Sequence, residues 1–154
     1  MRLKKVAMVL SAALGVALAQ GQLFGEVLFG QASFIPNFAL LVSLRGGTTQ
    51  ALGPLDLRVG GQVDSAAGTT IFTLNADALY PLPVDVQTGR LDAGLGVYVN
   101  ATPSLTTFGL RGLVGYEVPV QGALALRVEP TLTYDFNAQQ LGLGLTVGPR
   151  IYLR

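Results

Sequence analysis

The residues with the clearest chemical potential in this sequence are arginines and carboxylates at alternating positions. Asp56 and Arg58 are two residues apart, and so are Arg127 and Glu129. In a β-strand this spacing places both side chains on one face. Arginine and carboxylate groups on a shared face form charge-assisted ion pairs. We predict that these four residues belong to one polar network with three more on neighbouring segments: Asp92, Arg111 and Arg150. Glu26 is a further candidate for pairing with these arginines.

The residue types that most often carry out catalysis are absent from the sequence. Its 154 residues include no His and no Cys. Without them the chain cannot build a Ser-His-Asp triad, a thiolate nucleophile or a cysteine-based zinc site. The serines have no evident base to activate them. We predict that the protein has no catalytic residue, no metal site and no cofactor.

The first 19 residues have the three parts of a secretory signal peptide. Basic residues in 1–5 precede an apolar run at 6–19, and Ala17 and Ala19 form the small-residue pattern of a cleavage site. The run is shorter than the ~20 residues of a spanning helix, which argues against an uncleaved membrane anchor. We predict cleavage after Ala19 and a single domain over 20–154. That domain holds seven arginines and nine acidic residues, so its slight negative charge argues against nucleic acid as a partner.

The predicted domain alternates in polarity with a period of two. In 55–64 and 91–100 the odd positions are mainly apolar or glycine, and in 124–136 the even positions are apolar apart from Pro130. This period is that of a β-strand whose two faces differ. With the less regular segments, the pattern predicts eight strands joined by turns: about 22–31, 37–45, 55–64, 69–80, 91–100, 104–117, 124–136 and from 141 onward.

Eight antiparallel strands can close into a barrel, and the composition indicates which face points outward. Half of the residues are hydrophobic and only 12% are charged. So few charges cannot cover a soluble barrel, whereas small residues and arginine–carboxylate pairs suit a narrow lumen. We therefore place the aliphatic face outward, toward lipid. Aromatic residues near the strand ends are predicted to form belts at the membrane interfaces: Phe24, Phe72, Tyr80, Phe108, Tyr116, Tyr134, Phe136 and Tyr152.

In this architecture, residues 20–154 resemble the small eight-stranded outer-membrane β-barrel proteins of bacteria. Such proteins carry a C-terminal signal of a polar residue, any residue, Gly, any two residues, a hydrophobic residue, any residue and a hydrophobic residue. The segment from Thr146 to Leu153 matches it. The resemblance implies an all-β, up-and-down transmembrane barrel in outer-membrane lipid, whose last strand is read by the barrel-assembly machinery. Together with the missing catalytic residue types, it leads us to predict a structural or membrane-organising role without catalysis.

Two alternatives stay open on the sequence. A soluble secreted or periplasmic barrel would face the other way and bind a lipophilic ligand inside. A small pore would use the inward charges as a polar lining. In a non-conducting barrel of this width, the same charges would plug the lumen as ion pairs. Pro130 and Pro149 lie within the last two strands. Because proline lacks the backbone N–H that donates to a neighbouring strand, we expect a β-bulge at each. The alternative is a break in each strand, which would change the strand count. The oligomeric state is left undetermined.

Overall fold

The protein folds as eight β-strands. The computed structural model describes residues 21–34, 37–66, 68–84 and 86–153. The predicted signal peptide, with Ala17 and Ala19, lies outside the described residues. Within the described part of the chain, no helix is long and apolar enough to cross a membrane. In chain order the strands are β1 (Leu23–Phe34), β2 (Asn37–Leu52), β3 (Leu55–Ala66), β4 (Thr69–Pro81), β5 (Arg90–Ala101), β6 (Thr106–Gln121), β7 (Leu124–Asp135) and β8 (Gln140–Tyr152).

The strands form one closed antiparallel barrel in sequence order. β1 pairs with β8 from Phe24 opposite Tyr152 to Phe34 opposite Gly142, so no sheet edge is left free. Because the strand number is even, the start of β1 and the end of β8 lie at one end of the barrel. We call this the near end and the opposite one the far end. The predicted eight-stranded up-and-down barrel is confirmed.

Strand β2 continues through 45–47, where the sequence predicted a turn. Gly46 and Gly47 instead pair with Gly25 and Phe24 of β1. A side chain at Gly47 would overlap the Phe24 ring, so a glycine is needed here because the ring packs directly against the β2 backbone. The turn itself lies at 53–54, where Gly53 has a φ of +62° that favours glycine. The expected turn was wrong because Gly-Gly suits a crowded strand as well as a bend.

Neither proline produces the expected bulge or breaks its strand. Pairing of β7 with β8 runs in one register through both Pro130 and Pro149. On the other side of each strand, the ladder is interrupted without a change of register. β7 skips its pairs with β6 between 128 and 131, and β8 skips its pairs with β1 between 147 and 150. The missing N–H of each proline therefore falls where one ladder is already open.

Alternate side chains point into the lumen or away from the barrel, as the strand period requires. Among the described residues, every Asp, Glu and Arg side chain except Arg90 is buried. The outward positions are aliphatic and aromatic, and the most exposed of the large ones are Leu74 at 70% and Leu95 at 76%. The barrel is therefore polar inside and apolar outside, which is the reverse of a soluble domain.

Candidate lumen site

The near half of the lumen is filled by charged side chains, which we call the charge cluster. Each of the eight strands contributes at least one member, all of them buried. Five arginines face five carboxylates, so the cluster is neutral overall. Its members are Glu26, Arg45, Arg58, Asp77, Asp92, Arg111, Glu117, Arg127, Glu129 and Arg150.

Glu129 is the hub of the charge cluster. Its carboxylate accepts hydrogen bonds from Arg45 Nη1 at 2.6 Å, from Arg58 Nη1 at 2.7 Å and from Arg127 Nε at 2.9 Å. Arg111 Nη2 is a fourth donor at 3.2 Å. These donors come from β2, β3, β6 and β7, so one carboxylate ties half of the barrel wall together. Charge-assisted bonds of this kind are the strong ones in a low-dielectric interior.

Glu26 forms a second centre at the β1–β8 seam. Arg150 Nε donates to Glu26 Oε1 at 2.6 Å, and Arg58 Nη1 donates to Oε2 at 3.0 Å. Arg150 also reaches Glu117 at 2.8 Å, and the Tyr152 hydroxyl donates to the same carboxylate at 2.6 Å. The strands that close the barrel are therefore joined by side chains as well as by their backbone ladder.

Asp77, which is paired with Arg58 in the β3–β4 ladder, and Asp92 on β5 fix two of the arginine planes. Arg58 donates to Asp77 Oδ2 through Nε at 3.0 Å and through Nη2 at 2.7 Å. Arg127 holds Asp92 in a bidentate pair at 2.6 and 2.7 Å. Two-point pairs of this geometry set the orientation of the guanidinium as well as its position. Arg58 and Arg127 are therefore each held at two points, unlike the singly held side chains of a mobile pore lining.

Inward glycines make room for the charge cluster. A side chain at Gly115 would overlap the Arg127 guanidinium, and one at Gly96 would overlap the Asp77 carboxylate. A side chain at Gly60 would overlap the Arg45 stem. An eight-stranded lumen has space only for interdigitating side chains. An arginine side chain that fills the lumen therefore requires a glycine at the backbone position against which it packs.

The structure brings six of the seven predicted network residues together and separates the seventh. Arg58, Asp92, Arg111, Arg127, Glu129 and Arg150 lie in the charge cluster. Asp56 lies nearer the near end, where it accepts hydrogen bonds from the Gln50 backbone N–H at 2.8 Å and from Arg90 Nη2. The side chain of Arg90 is 31% exposed, so this pair is partly open to solvent.

Of the other four members of the charge cluster, Glu26 was predicted as an ion-pair partner of the arginines. Asp77 and Glu117 were not, although they fall on the inward parity of their strands, a signal the sequence already contained. Arg45 was missed because the neighbouring glycines suggested a turn. Recognising that β2 runs through this segment would have placed Arg45 on the inward face as well.

The far half of the lumen is a small polar cup above the charge cluster. Its cavity volume is about 50 Å³. Arg45 and Arg111 form its floor, and small or uncharged residues such as Thr131 and Gly144 line much of its wall. The cup is therefore a small cavity on the far side of the charge cluster.

Two of the predicted interface aromatics point into the lumen, which corrects the prediction. Phe24 is only 2% exposed, and the Arg150 guanidinium lies 4.2 Å from the centre of its ring. Tyr152 shares this inward parity, with its ring centre 6.0 Å from that of Phe24. Both residues sit next to the seam between β1 and β8. There they cap the near end of the charge cluster, so aromatic identity near a strand end did not predict the facing.

The other six predicted interface aromatics lie on the outward parity of the barrel. Tyr80 and Tyr116 are at the near end. The remaining four are at the far end, where Phe136 packs at 5.5 Å between ring centres against both Phe108 and Tyr134. Phe72 is the most exposed of the far group at 58%. Two aromatic groups thus bracket the aliphatic band of the exterior.

Solved structures with folds similar to this one include the following three. Neisserial surface protein A (NspA) has a TM-score of 0.68 at 14% identity, over 86% of this chain and 96% of that one. The N-terminal β-barrel domain of Pseudomonas aeruginosa OprF has a TM-score of 0.61 at 12% identity, over 86% and 98%. A major outer membrane protein from Thermus thermophilus has a TM-score of 0.58 at 14% identity, over 85% and 99%. No family model and no curated protein sequence matches the chain. The predicted architectural resemblance to small outer-membrane barrels is therefore confirmed at the level of the fold.

Proposed function

We propose that this protein is an integral β-barrel of a bacterial outer membrane with a structural or membrane-organising role and no catalysis. One observation carries the proposal: the described barrel keeps nearly all of its charge inside and presents an apolar band outside. Between the two outward aromatic groups, this band has the composition of a lipid-facing surface. The fold shared with outer-membrane barrels gives independent support.

The charge cluster supports a closed barrel in preference to either alternative. A lipophilic ligand would need an apolar interior, but the near half of this lumen is packed with paired charges. A conducting pore would need a water path along the axis. Here buried, paired side chains from all eight strands fill the near half, and Arg58 and Arg127 each donate two hydrogen bonds to one carboxylate. The rigid wall that results suits a passive membrane component.

The first experiment tests membrane integration. We expect the full chain expressed in a Gram-negative host to resist extraction by carbonate or urea and to dissolve in detergent. Its electrophoretic mobility should change on boiling, because a closed barrel stays folded in cold detergent. Recovery in the soluble periplasmic fraction without detergent would refute the proposal.

A second experiment tests the facing of the strands. Because the chain has no Cys, a single cysteine at Leu95 can carry an environment-sensitive label on a clean background. We expect this label to report a hydrocarbon environment that lipid-soluble quenchers reach. A label at Asn137, in the exposed far-end turn, is the matched control and should report water. Equal exposure of both labels to water-soluble quenchers would contradict a lipid-facing exterior.

We further propose that the barrel-assembly machinery recognises β8. The hydrophobic positions of the C-terminal motif, Ile151 and Leu153, are outward and about half exposed. Their side chains make none of the lumen contacts of Arg150 and Tyr152, so they are available to an assembly partner. Membrane lipid is the other partner that the proposal requires.

A further inference from the structure

An apolar groove lies on the outer face of the barrel, along β3. Gly61 and Val63 of β3 form its floor, and larger side chains of the two neighbouring strands form its walls. The wall residues are Val42 and Leu44 of β2 and Phe72 and Leu74 of β4. The groove has a volume of about 380 Å³. We call it the outer groove.

The outer groove is deep where β3 carries a glycine. Gly61 pairs with Leu44 on one side and with Leu74 on the other. These two leucines are 67% and 70% exposed, so they stand well clear of the backbone between them. A Cβ added at Gly61 would have its nearest neighbour, a methyl group of Leu74, 3.9 Å away. The space above Gly61 is therefore open, and no close approach of backbone requires a glycine there.

The chemistry of the outer groove is that of hydrocarbon. Every side chain that forms its floor or walls is apolar. Gln62 and Thr73 also border it, but their side chains bind Asp64 inside the lumen. At its far end the outer groove reaches Phe72, a member of the outward aromatic group, and from there it runs toward the middle of the apolar band. The matching occupant is an apolar chain that enters from the far side of the membrane.

The width of the outer groove selects among apolar occupants. Neighbouring strands lie about 4.8 Å apart, so the backbones of β2 and β4 are about 10 Å apart across Gly61. An α-helix with its side chains is about 10–12 Å across and would rest on the walls without reaching the floor. A single hydrocarbon chain is narrow enough to lie on the floor. Because an unfilled space loses the dispersion contacts of the atoms around it, a chain seated there is favoured over one that bridges the walls.

We propose that the outer groove binds one acyl chain of a membrane lipid, seated on Gly61 between Leu44 and Leu74. The inference rests on the proposed membrane location of the barrel. It assigns a defined lipid position to one part of the exterior, where the rest of the apolar band contacts lipid without such a seat.

Mass spectrometry of the intact barrel released from detergent gives the test, because it counts the lipids that each chain retains. We expect the native barrel, incubated with dimyristoyl phosphatidylcholine, to retain one lipid molecule. Gly61→Leu fills the floor and should abolish this retention. Gly25→Leu is the matched control: no atom lies within 4 Å of a Cβ added at this outward glycine, and its partner in β2 is Gly46, so no leucine wall stands there. The control should retain the lipid as the native barrel does.

A second variant and a folding check complete the experiment. Leu74→Ala lowers one wall without filling the floor and should also reduce lipid retention. The change of electrophoretic mobility on boiling shows that each variant is folded. Equal retention in the native barrel and Gly61→Leu would overturn the proposal, as would loss of the lipid from Gly25→Leu as well.

Two other results would also refute the outer groove as a lipid site. One is a native barrel that retains no lipid. The other is a dimer that Gly61→Leu disrupts, which would identify a second copy of the chain as the occupant. Resistance to carbonate extraction does not depend on the outer groove. A membrane-integrated barrel without a retained lipid therefore refutes this site alone, whereas recovery in the soluble fraction refutes the membrane location itself.

Discussion

Replacing Glu129 by glutamine tests whether the charge cluster acts as one unit. The substitution preserves the shape of the side chain and removes the charge that four arginines share. The charge cluster then holds five arginines and four carboxylates in a space with no measurable exposure at Glu129. An uncompensated buried charge of this kind costs about 3–5 kcal/mol. We therefore expect Glu129→Gln to lower the free energy of unfolding by roughly that amount.

The assay is urea unfolding and refolding in detergent or lipid, followed by the mobility difference between folded and unfolded chains. Asp56→Asn is the matched control, because it removes a carboxylate from a pair whose arginine is partly exposed. The Asp56 carboxylate is buried, but its partner Arg90 keeps contact with solvent. Removing this carboxylate therefore leaves no fully buried unpaired charge, and the control should lose less stability than Glu129→Gln. If both variants lose the same stability, or Glu129→Gln is neutral, then Glu129 is not an electrostatic hub.

Three further predictions concern packing, facing and assembly. Gly115→Ala should destabilise the barrel by about 1–3 kcal/mol, because the added methyl group displaces the Arg127 guanidinium. Gly112→Ala is the control in the same unfolding assay and should be tolerated, because a methyl group there points outward and its nearest neighbour is 3.9 Å away. Leu95→Arg, near the middle of β5, should cost about 2–4 kcal/mol on refolding into lipid, whereas an unchanged stability would indicate that this face is in water. Ile151→Asp should reduce the amount of assembled barrel in cells while leaving refolding into detergent largely intact, and equal losses in both would show that Ile151 serves stability and not recognition.

The charge cluster also affects the register in which β1 and β8 pair to close the barrel. Buried ion pairs are weak evidence for stability, since desolvation offsets much of their attraction. The contacts of Arg150 with Glu26 and Glu117 instead tie β8 to β1 and β6 at one register. A slip of one residue would turn each of these side chains toward the outside. The charge cluster is therefore well placed to specify closure.

Much of the fold could be predicted from the sequence because a strand exposes its two faces in strict alternation. Asp56, Arg58, Arg127 and Glu129 showed their common facing through spacing alone. The strand count followed from turn signals, and the outward direction of the aliphatic face followed from the shortage of charge. Each of these depends on local periodicity or on composition, which the sequence contains in full.

Only the tertiary structure decided which inward residues meet. Pairing between strands depends on register, and register is set by the whole barrel, so the separation of Asp56 from the other predicted network residues had no local signal. Arg45 joined the charge cluster because β2 ran through a Gly-Gly pair whose local sequence suits a turn equally well. Phe24 and Tyr152 turned inward because parity, not aromatic character, sets facing, and their partners in the lumen are far away in sequence. The cup was equally invisible, because a cavity is a property of what surrounds it.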